Sequence, residues 1–198
     1  MAISKLQAAS LNLADTYAFT GTVSGAGSNI LEQVPLQQDG ENVTINGTTY
    51  STTNVTAEQL LTTSYADVNG SSVSYTPPSG AVAVIYEYSC MFGYGDTYTI
   101  AHFAFYIDSD EVTAARQTLA TSQYPQMAVV FRHIIPIGGS ADTATGRQAT
   151  WTTAKTLKVQ AREYGGTNEA RLFRNLHWDG ASNQTEIRKP TLLITAVG

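Results

Sequence analysis

The side chains that most often bind metals are few and scattered in this sequence. Its three histidines, His102, His133 and His177, lie far apart along the chain, and neither an HExxH nor a His-x-His spacing occurs. Zinc sites need such clustered ligands. We therefore predict no metal and no cofactor, and we interpret each histidine as a core or interface residue.

Carboxylates are numerous enough for a pair that cleaves glycosidic bonds, which requires two acids about 5 to 10 Å apart. The candidates are Glu87, Glu163, Glu169 and Asp179. Many binding domains carry as many acids, so their number alone does not indicate catalysis.

The sequence patterns for calcium binding, nucleophilic hydrolysis and nucleotide binding are weaker still. Asp108, Asp110 and Glu111 offer oxygen ligands for calcium but lack the spacing and central glycine of a known calcium loop. No G-x-S-x-G and no P-loop occurs, and Cys90 lies inside an apolar run where a buried, inert thiol is expected. The sequence thus predicts a protein that is not an enzyme.

One aromatic group is suited to sugar binding. Tyr164, His177, Trp178 and Asp179 are a candidate glycan platform, because aromatic faces pack on sugar rings and an acid accepts hydroxyl protons. A structural interpretation competes with it, in which Trp178 anchors a hairpin and Asp179-Gly180 forms the turn.

Composition narrows the partners. Eleven basic and sixteen acidic residues give a formal charge of -5, and this negative charge opposes binding to nucleic acid. The sequence also lacks a cluster of basic residues that would bind a membrane surface. Charged residues are only 14% of the chain. A surface so poor in charge favours burial against identical copies or another protein.

The elements that would carry these residues are strands. Residues 40–53 consist of two alternating runs joined by Asn46-Gly47, the dipeptide of a type I′ hairpin. Residues 81–92 alternate, with Val82 and every second residue to Phe92 on one face, and we predict that they pair antiparallel with the strand at 99–107.

Further strands are predicted at 127–137, 156–164, 170–178 and 191–197. Residues 111–122 fit either a turn of helix or a ragged strand. Together these segments predict an all-β fold, a jelly-roll sandwich of about eight to ten antiparallel strands with an extended N-terminal segment. The strand at 191–197 is expected to be a core element.

The N-terminal segment has too few apolar residues to close a core of its own. Its predicted attachment positions are Leu11, Leu13, Tyr17, Phe19 and Val23. Their alternation near Phe19 suits a strand packed against another chain, and a flexible tail is the alternative. We divide the chain into an attachment or stalk segment, residues 1–27, and a head domain, residues 28–198.

A family resemblance supports this division. The opening ISKLQAASLNLADTYAFTGTVSGAG resembles a segment of phage tail-fibre and virion appendage proteins. The remainder, with IYEYSCMF, HFAFYIDSDEVTAAR, TLKVQAREY, LHWDG and PTLLITAVG, is similar to virion proteins of marine tailed phages with a trimeric TNF/C1q-like jelly-roll head.

The resemblance implies a non-enzymatic bacteriophage structural protein. It would be made in the host cytoplasm, act in viral assembly and reside on the virion surface as a head fibre, a short tail fibre or a capsid decoration protein. Its expected partners are two further copies in a homotrimer and other capsid or tail proteins, without nucleic acid or membrane insertion. The alternative function is a carbohydrate-binding tail-fibre tip that recognises a host surface glycan.

Overall fold

The computed structural model describes residues 29–93, 99–121, 126–166, 170–178 and 183–198. These residues form fifteen strands and no helix, which confirms the all-β prediction. The strands are β1 (Ile30–Gln37), β2 (Asn42–Ile45), β3 (Thr48–Ser51), β4 (Gln59–Leu60), β5 (Ala66–Asp67), β6 (Val73–Tyr75), β7 (Ala83–Gly93), β8 (Thr99–Ile107), β9 (Asp110–Thr121), β10 (Gln126–Pro136), β11 (Lys155–Glu163), β12 (Arg171–Leu172), β13 (Arg174–Trp178), β14 (Asn183–Ile187) and β15 (Thr191–Val197). Within the described ranges no helix is suited to crossing a membrane.

The first sheet is built around β7. One edge of β7 pairs with β10 along its whole length, and the other edge pairs with β15 and then with the short β12. β1 pairs with the far side of β15, so the order across the sheet is β10, β7, β15, β1. All these pairings are antiparallel, and the C-terminal strand β15 is central.

The second sheet is built around β8 and β11. β8 lies between β9 and β11, and the outer edge of β11 is paired by β6 and β5 at successive positions. The order is therefore β9, β8, β11 and then the β5/β6 pair. A bulge between the partners of Phe103 and Phe105 interrupts the β8–β9 ladder.

This strand order is that of a jelly roll. The eight main strands, in chain order, are β1, the β5/β6 pair, β7, β8, β9, β10, β11 and β15. Numbered one to eight, they lie in the order 6-3-8-1 across the first sheet and 5-4-7-2 across the second sheet. Such interleaving is two Greek keys wrapped into a sandwich. The predicted jelly roll is confirmed, and the segment at 111–122 proves to be a strand, β9.

The predicted pairing of residues 81–92 with 99–107 is wrong. β7 and β8 lie in different sheets and meet across the core through their inner faces. The Tyr86 and Phe105 rings are 4.8 Å apart between centroids, and those of Phe92 and Phe103 are 6.0 Å apart. Both edges of β7 are already occupied, so its large aromatic face packs against β8 instead of beside it.

The predicted hairpin is confirmed. β2 and β3 pair in register from Asn42–Ser51 to Ile45–Thr48, and the turn residues Asn46 and Gly47 have φ of 48° and 81°. Positive φ at both positions defines the type I′ turn that Asn-Gly favours.

Three local features differ from the sequence prediction. Residues 170–178 are two strands, broken at the buried Phe173, whose φ is 73°. Val82 is 56% exposed and precedes β7 instead of joining its buried face. The strand β1 was not predicted, because Glu32 interrupts the apolar positions that continue at Val34 and Leu36.

Candidate functional site

The outward side chains of the first sheet are mostly apolar. Because successive strand residues point to opposite faces, the buried Tyr86, Phe131 and Ile194 identify their sequence neighbours as outward. We call this surface the apolar sheet face, and its members are Ile30, Pro35, Ala83, Ile85, Val130, Ile134, Pro136, Leu193 and Val197.

The sheet register shows how far this surface extends. Ile134 lies opposite Ile85, but Thr195 and Gln33 continue that row across the sheet. The row that is apolar on all four strands consists of Pro136, Ala83, Val197 and Ile30. Val130 and Ile134 are 51% and 52% exposed. Arg132 separates Val130 from Ile134 on β10, but the apolar area on this outer face is still of the kind that marks an interaction surface.

The charged side chains in the paired rows of this face are Glu87 and Arg132. They lie directly opposite each other on β7 and β10, with Glu87 Oε2 and Arg132 Nε 3.8 Å apart. Both are substantially exposed, so their attraction contributes little to the fold itself. The patch carries equal positive and negative charge and no excess that would keep copies apart.

The outward face of the second sheet is polar and charged. Lys158 is paired with Asp67 at 2.9 Å, and Arg116 is paired with Glu111 at 2.7 Å. The Gln160 side chain also donates to Asp67 at 2.7 Å. The two faces of the sandwich therefore differ in chemistry: the second sheet is suited to water, and the first sheet is suited to burial.

The candidate glycan platform is only partly visible in the structure. Tyr164 is 66% exposed and its ring centroid is 6.2 Å from that of His102 on β8. His177 and Trp178 lie on β13, in register with Gln184 and Asn183 of β14, as the hairpin interpretation predicted. Asp179 lies outside the described residues, so the platform as a whole stays a prediction.

The predicted attachment positions also lie outside the described residues. Leu11, Leu13, Tyr17, Phe19 and Val23 all fall within 1–28. The attachment role and the boundary of the head domain stay predictions.

The candidate acids do not gather at one described site. Glu87 lies on the outer face of the first sheet, whereas Glu163 is buried on the inner face of the second sheet, where its carboxylate accepts from Ala170 N at 3.4 Å. Asp108 accepts from Thr156 N at 2.8 Å and from Lys155 Nζ at 3.3 Å, which engages the carboxylate considered for calcium. Glu169 falls in an undescribed range.

Metal and thiol chemistry receive no support from the described geometry. No group of three His, Cys, Asp or Glu side chains among the described residues is placed to hold a metal ion. Cys90 is buried, as predicted, and burial raises the pKa of its thiol to about 12. His133 is held on the inner side of β10, where burial lowers its pKa although Nε2 lies 3.0 Å from the Thr145 carbonyl oxygen.

A buried carboxylate that sequence reasoning missed joins the hairpin to the sandwich. Glu32 of β1 is only 9% exposed, and its two oxygens accept from the Tyr75 hydroxyl and from Asn46 Nδ2, each at 2.9 Å. Burial and this carboxylate raise the pKa of the Tyr75 phenol well above its usual value. The polar contact is structural: it fixes the β2–β3 turn onto the edge of the core.

Comparison with known proteins adds limited information. No family model and no curated protein matches the chain. The Gx strain of infectious bursal disease virus has a structure similar at a TM-score of 0.37 and 10% identity, over 84% of this chain and 36% of that one. A mutant VP2 protein of the same virus, in derived T=1 particles, is similar at a TM-score of 0.26 and 12% identity, over 80% and 42% of the two chains.

The chain spans about a third of the length of the first of these virus proteins. The jelly-roll assignment rests on the strand order of this chain and not on these similarities.

Proposed function

We propose that this chain is a non-enzymatic structural protein of a bacteriophage particle. It acts as a homotrimeric surface fibre or capsid decoration protein, and residues 1–27 hold it to the particle. The mechanism is burial of surface and multivalent contact, since several weak contacts per trimer and many trimers per particle give high avidity without a tight single contact.

The observation that carries this proposal is the apolar sheet face. An antiparallel sheet with one face on the core normally presents a polar second face to water, as the second sheet does here. The half-exposed Val130 and Ile134 depart from that rule, and so does the apolar row of Pro136, Ala83, Val197 and Ile30. Burying such area yields about 25 cal/mol per Å², so a covered state is favoured.

Identical copies are suitable partners for this face. Homo-oligomer interfaces are more apolar than other protein surfaces, and this patch has that character. Glu87 and Arg132 supply one charge of each sign, so in a rotationally symmetric ring Glu87 of one copy can face Arg132 of the next. In such an interface the two charges pair between identical copies, so no other protein is needed to neutralise them.

The position of β1 supports attachment through the N-terminal segment. β1 is the edge strand of the first sheet, and residues 1–27 precede it in the chain, with Ser28 and Asn29 between them. Since the described part of the chain begins at this edge, attachment is proposed on the side of the first sheet, with the polar second sheet facing outward.

Light scattering of the purified chain at micromolar concentration tests the assembly. The expected mass is three times the 21.2 kDa of one chain. A mass equal to that of one chain would overturn the proposed trimer without affecting the fold assignment. Cryo-electron microscopy of intact virions then locates the protein: density over the capsid lattice supports decoration, and density confined to the tail supports a host-recognition role.

A second candidate function is carbohydrate recognition by a tail-fibre tip. The exposed ring of Tyr164, next to His102 on the water-facing sheet, favours it. Sugar-binding surfaces combine such aromatic rings with a few polar side chains.

A further inference from the structure

A row of side chains on the outer face of the second sheet combines aromatic rings with a cation. His102 of β8 lies opposite Arg162 of β11 on one side and Thr118 of β9 on the other. Tyr65 lies at the outer end of the row, and Tyr164 follows Arg162 by two residues, on the same face of the strand. We call these five residues the tyrosine–arginine row.

Arg162 differs from the other cations on this sheet. Its guanidinium carbon lies 5.2 Å from the centroid of the Tyr65 ring, a cation–π contact that holds the charge in place. Within the described part of the chain the Arg162 side chain makes neither an ion pair nor a hydrogen bond, and its Nε is buried. Lys158 and Arg116, by contrast, are each paired with a carboxylate.

Because no carboxylate among the described residues pairs with the Arg162 guanidinium, its charge is available to an anionic ligand. A guanidinium matches a planar carboxylate through two parallel hydrogen bonds. A phosphate would be expected to attract several cations, whereas the neighbouring Lys158 and Arg116 are already neutralised. The chemistry of this row therefore favours a single carboxylate.

The rings beside Arg162 are suited to a sugar. Tyr65 and Tyr164 are 40% and 66% exposed, and the Tyr164 and His102 rings are inclined at 60° to each other. His102 Nδ1 lies 2.8 Å from the Thr118 hydroxyl, which fixes the imidazole and leaves Nε2 without a partner among the described residues. Nε2 can therefore exchange a hydrogen bond with a sugar hydroxyl.

We propose that the tyrosine–arginine row binds a carboxylated sugar, with the carboxylate on Arg162 and the sugar ring against Tyr164. This inference rests on the second candidate function and specifies its ligand; it is independent of the trimer. It builds the site on Tyr164 together with His102 of the second sheet.

Calorimetric titration of the full chain tests this proposal with four probes: a uronic acid trisaccharide, sialyllactose, and the neutral sugars maltotriose and lactose. At least one acidic probe should bind about tenfold or more tightly than its neutral counterpart, since a hydrogen-bonded charge contributes that much. The acidic probe that binds identifies whether a uronic or a sialic acid is the ligand.

Two variants and one matched control locate the site. Arg162→Gln should lose about tenfold or more in affinity for the acidic probe, and Tyr164→Ala, at an exposed position, should weaken binding without unfolding the protein. Arg147→Gln removes the same charge beside Ile107, at the other end of β8 from His102, and should leave the affinity unchanged. Circular dichroism checks that all three variants fold.

Absence of binding to both acidic probes would overturn the proposal, as would an unchanged affinity in Arg162→Gln. Equal binding of acidic and neutral sugars would overturn the proposal that the ligand is a carboxylated sugar, although it would still support carbohydrate recognition. Light scattering on the same samples reports the trimer separately, so failure of the assembly proposal is distinguishable from failure of this one.

Discussion

Arg132 on β10 faces Glu87 on β7, with Nε and Oε2 3.8 Å apart, inside an outward sheet surface that is otherwise largely apolar. An isolated exposed pair of this kind contributes little to the stability of a single chain. Its place in the apolar sheet face gives it a second use, since the two charges can pair between copies. This relationship leads to the first prediction.

Ile134→Glu should break the trimer. Ile134 is 52% exposed in the single chain, so the substitution costs the fold little. In an assembled interface the new carboxylate would be buried without a partner, at a cost of about 2 kcal/mol or more, which weakens association roughly thirtyfold. Light scattering should show a shift from trimer to monomer at micromolar concentration.

The matched control is Thr113→Glu, which places the same charge at an exposed position on β9 of the second sheet. This variant should assemble as the wild type does. If Ile134→Glu assembles equally well, the apolar sheet face is not the interface between copies.

Tyr75→Phe should lower the free energy of unfolding by about 1–3 kcal/mol, because it leaves a buried oxygen of Glu32 without its donor. Chemical denaturation monitored by fluorescence measures the change. Tyr106→Phe removes a hydroxyl from a half-buried tyrosine on the outer face of β8 and should cost less. Equal losses in the two variants would contradict a special role for the Glu32 contact.

His133 should make the protein less stable in mild acid. Burial lowers its folded-state pKa, so the unfolded chain takes up the proton first as the pH falls. Its contribution is present above about pH 6.5 and declines as the pH drops from there towards the lower folded-state pKa. The free energy of unfolding of the wild type and of His133→Gln is measured by denaturation at several pH values. On acidification the wild type should lose more stability than the variant does. A difference between the two proteins that stays constant with pH would refute this prediction.

Cys90 should resist alkylation in the folded protein. The thiol is 4% exposed, and burial raises its pKa to about 12, so both access and the reactive thiolate are lacking near neutral pH. Mass spectrometry after iodoacetamide treatment should find no modification under native conditions and full modification in denaturant. Rapid native labelling would show that the strand β7 opens readily.

Much of the fold was predictable because local patterns carry it. Alternation identified the buried side of β7 from Val84 to Phe92, and Asn46-Gly47 determined the hairpin turn. The C-terminal strand was predicted within its observed bounds and proves central. Where a non-local contact overrode the pattern, as at Glu32 in β1, the strand was missed.

The candidate sites were harder to predict for the same reason. Tyr164 was identified from its residue type, but its neighbour His102 lies 62 positions earlier and meets it only through the β8–β11 pairing. Tyr65 reaches Arg162 through a contact of still larger sequence separation. Neither neighbour was part of the sequence-based platform.

The sequence by itself determined most of the long strands, where one turn lies and that the chain carries little charge. The tertiary structure decided that β7 and β8 pack face to face instead of edge to edge, and that Ile85, Ile134 and Leu193 share one outer surface. The physical reason is that alternation marks which side of a strand is apolar, whereas the choice of partner strand depends on how distant aromatic faces fill a common core.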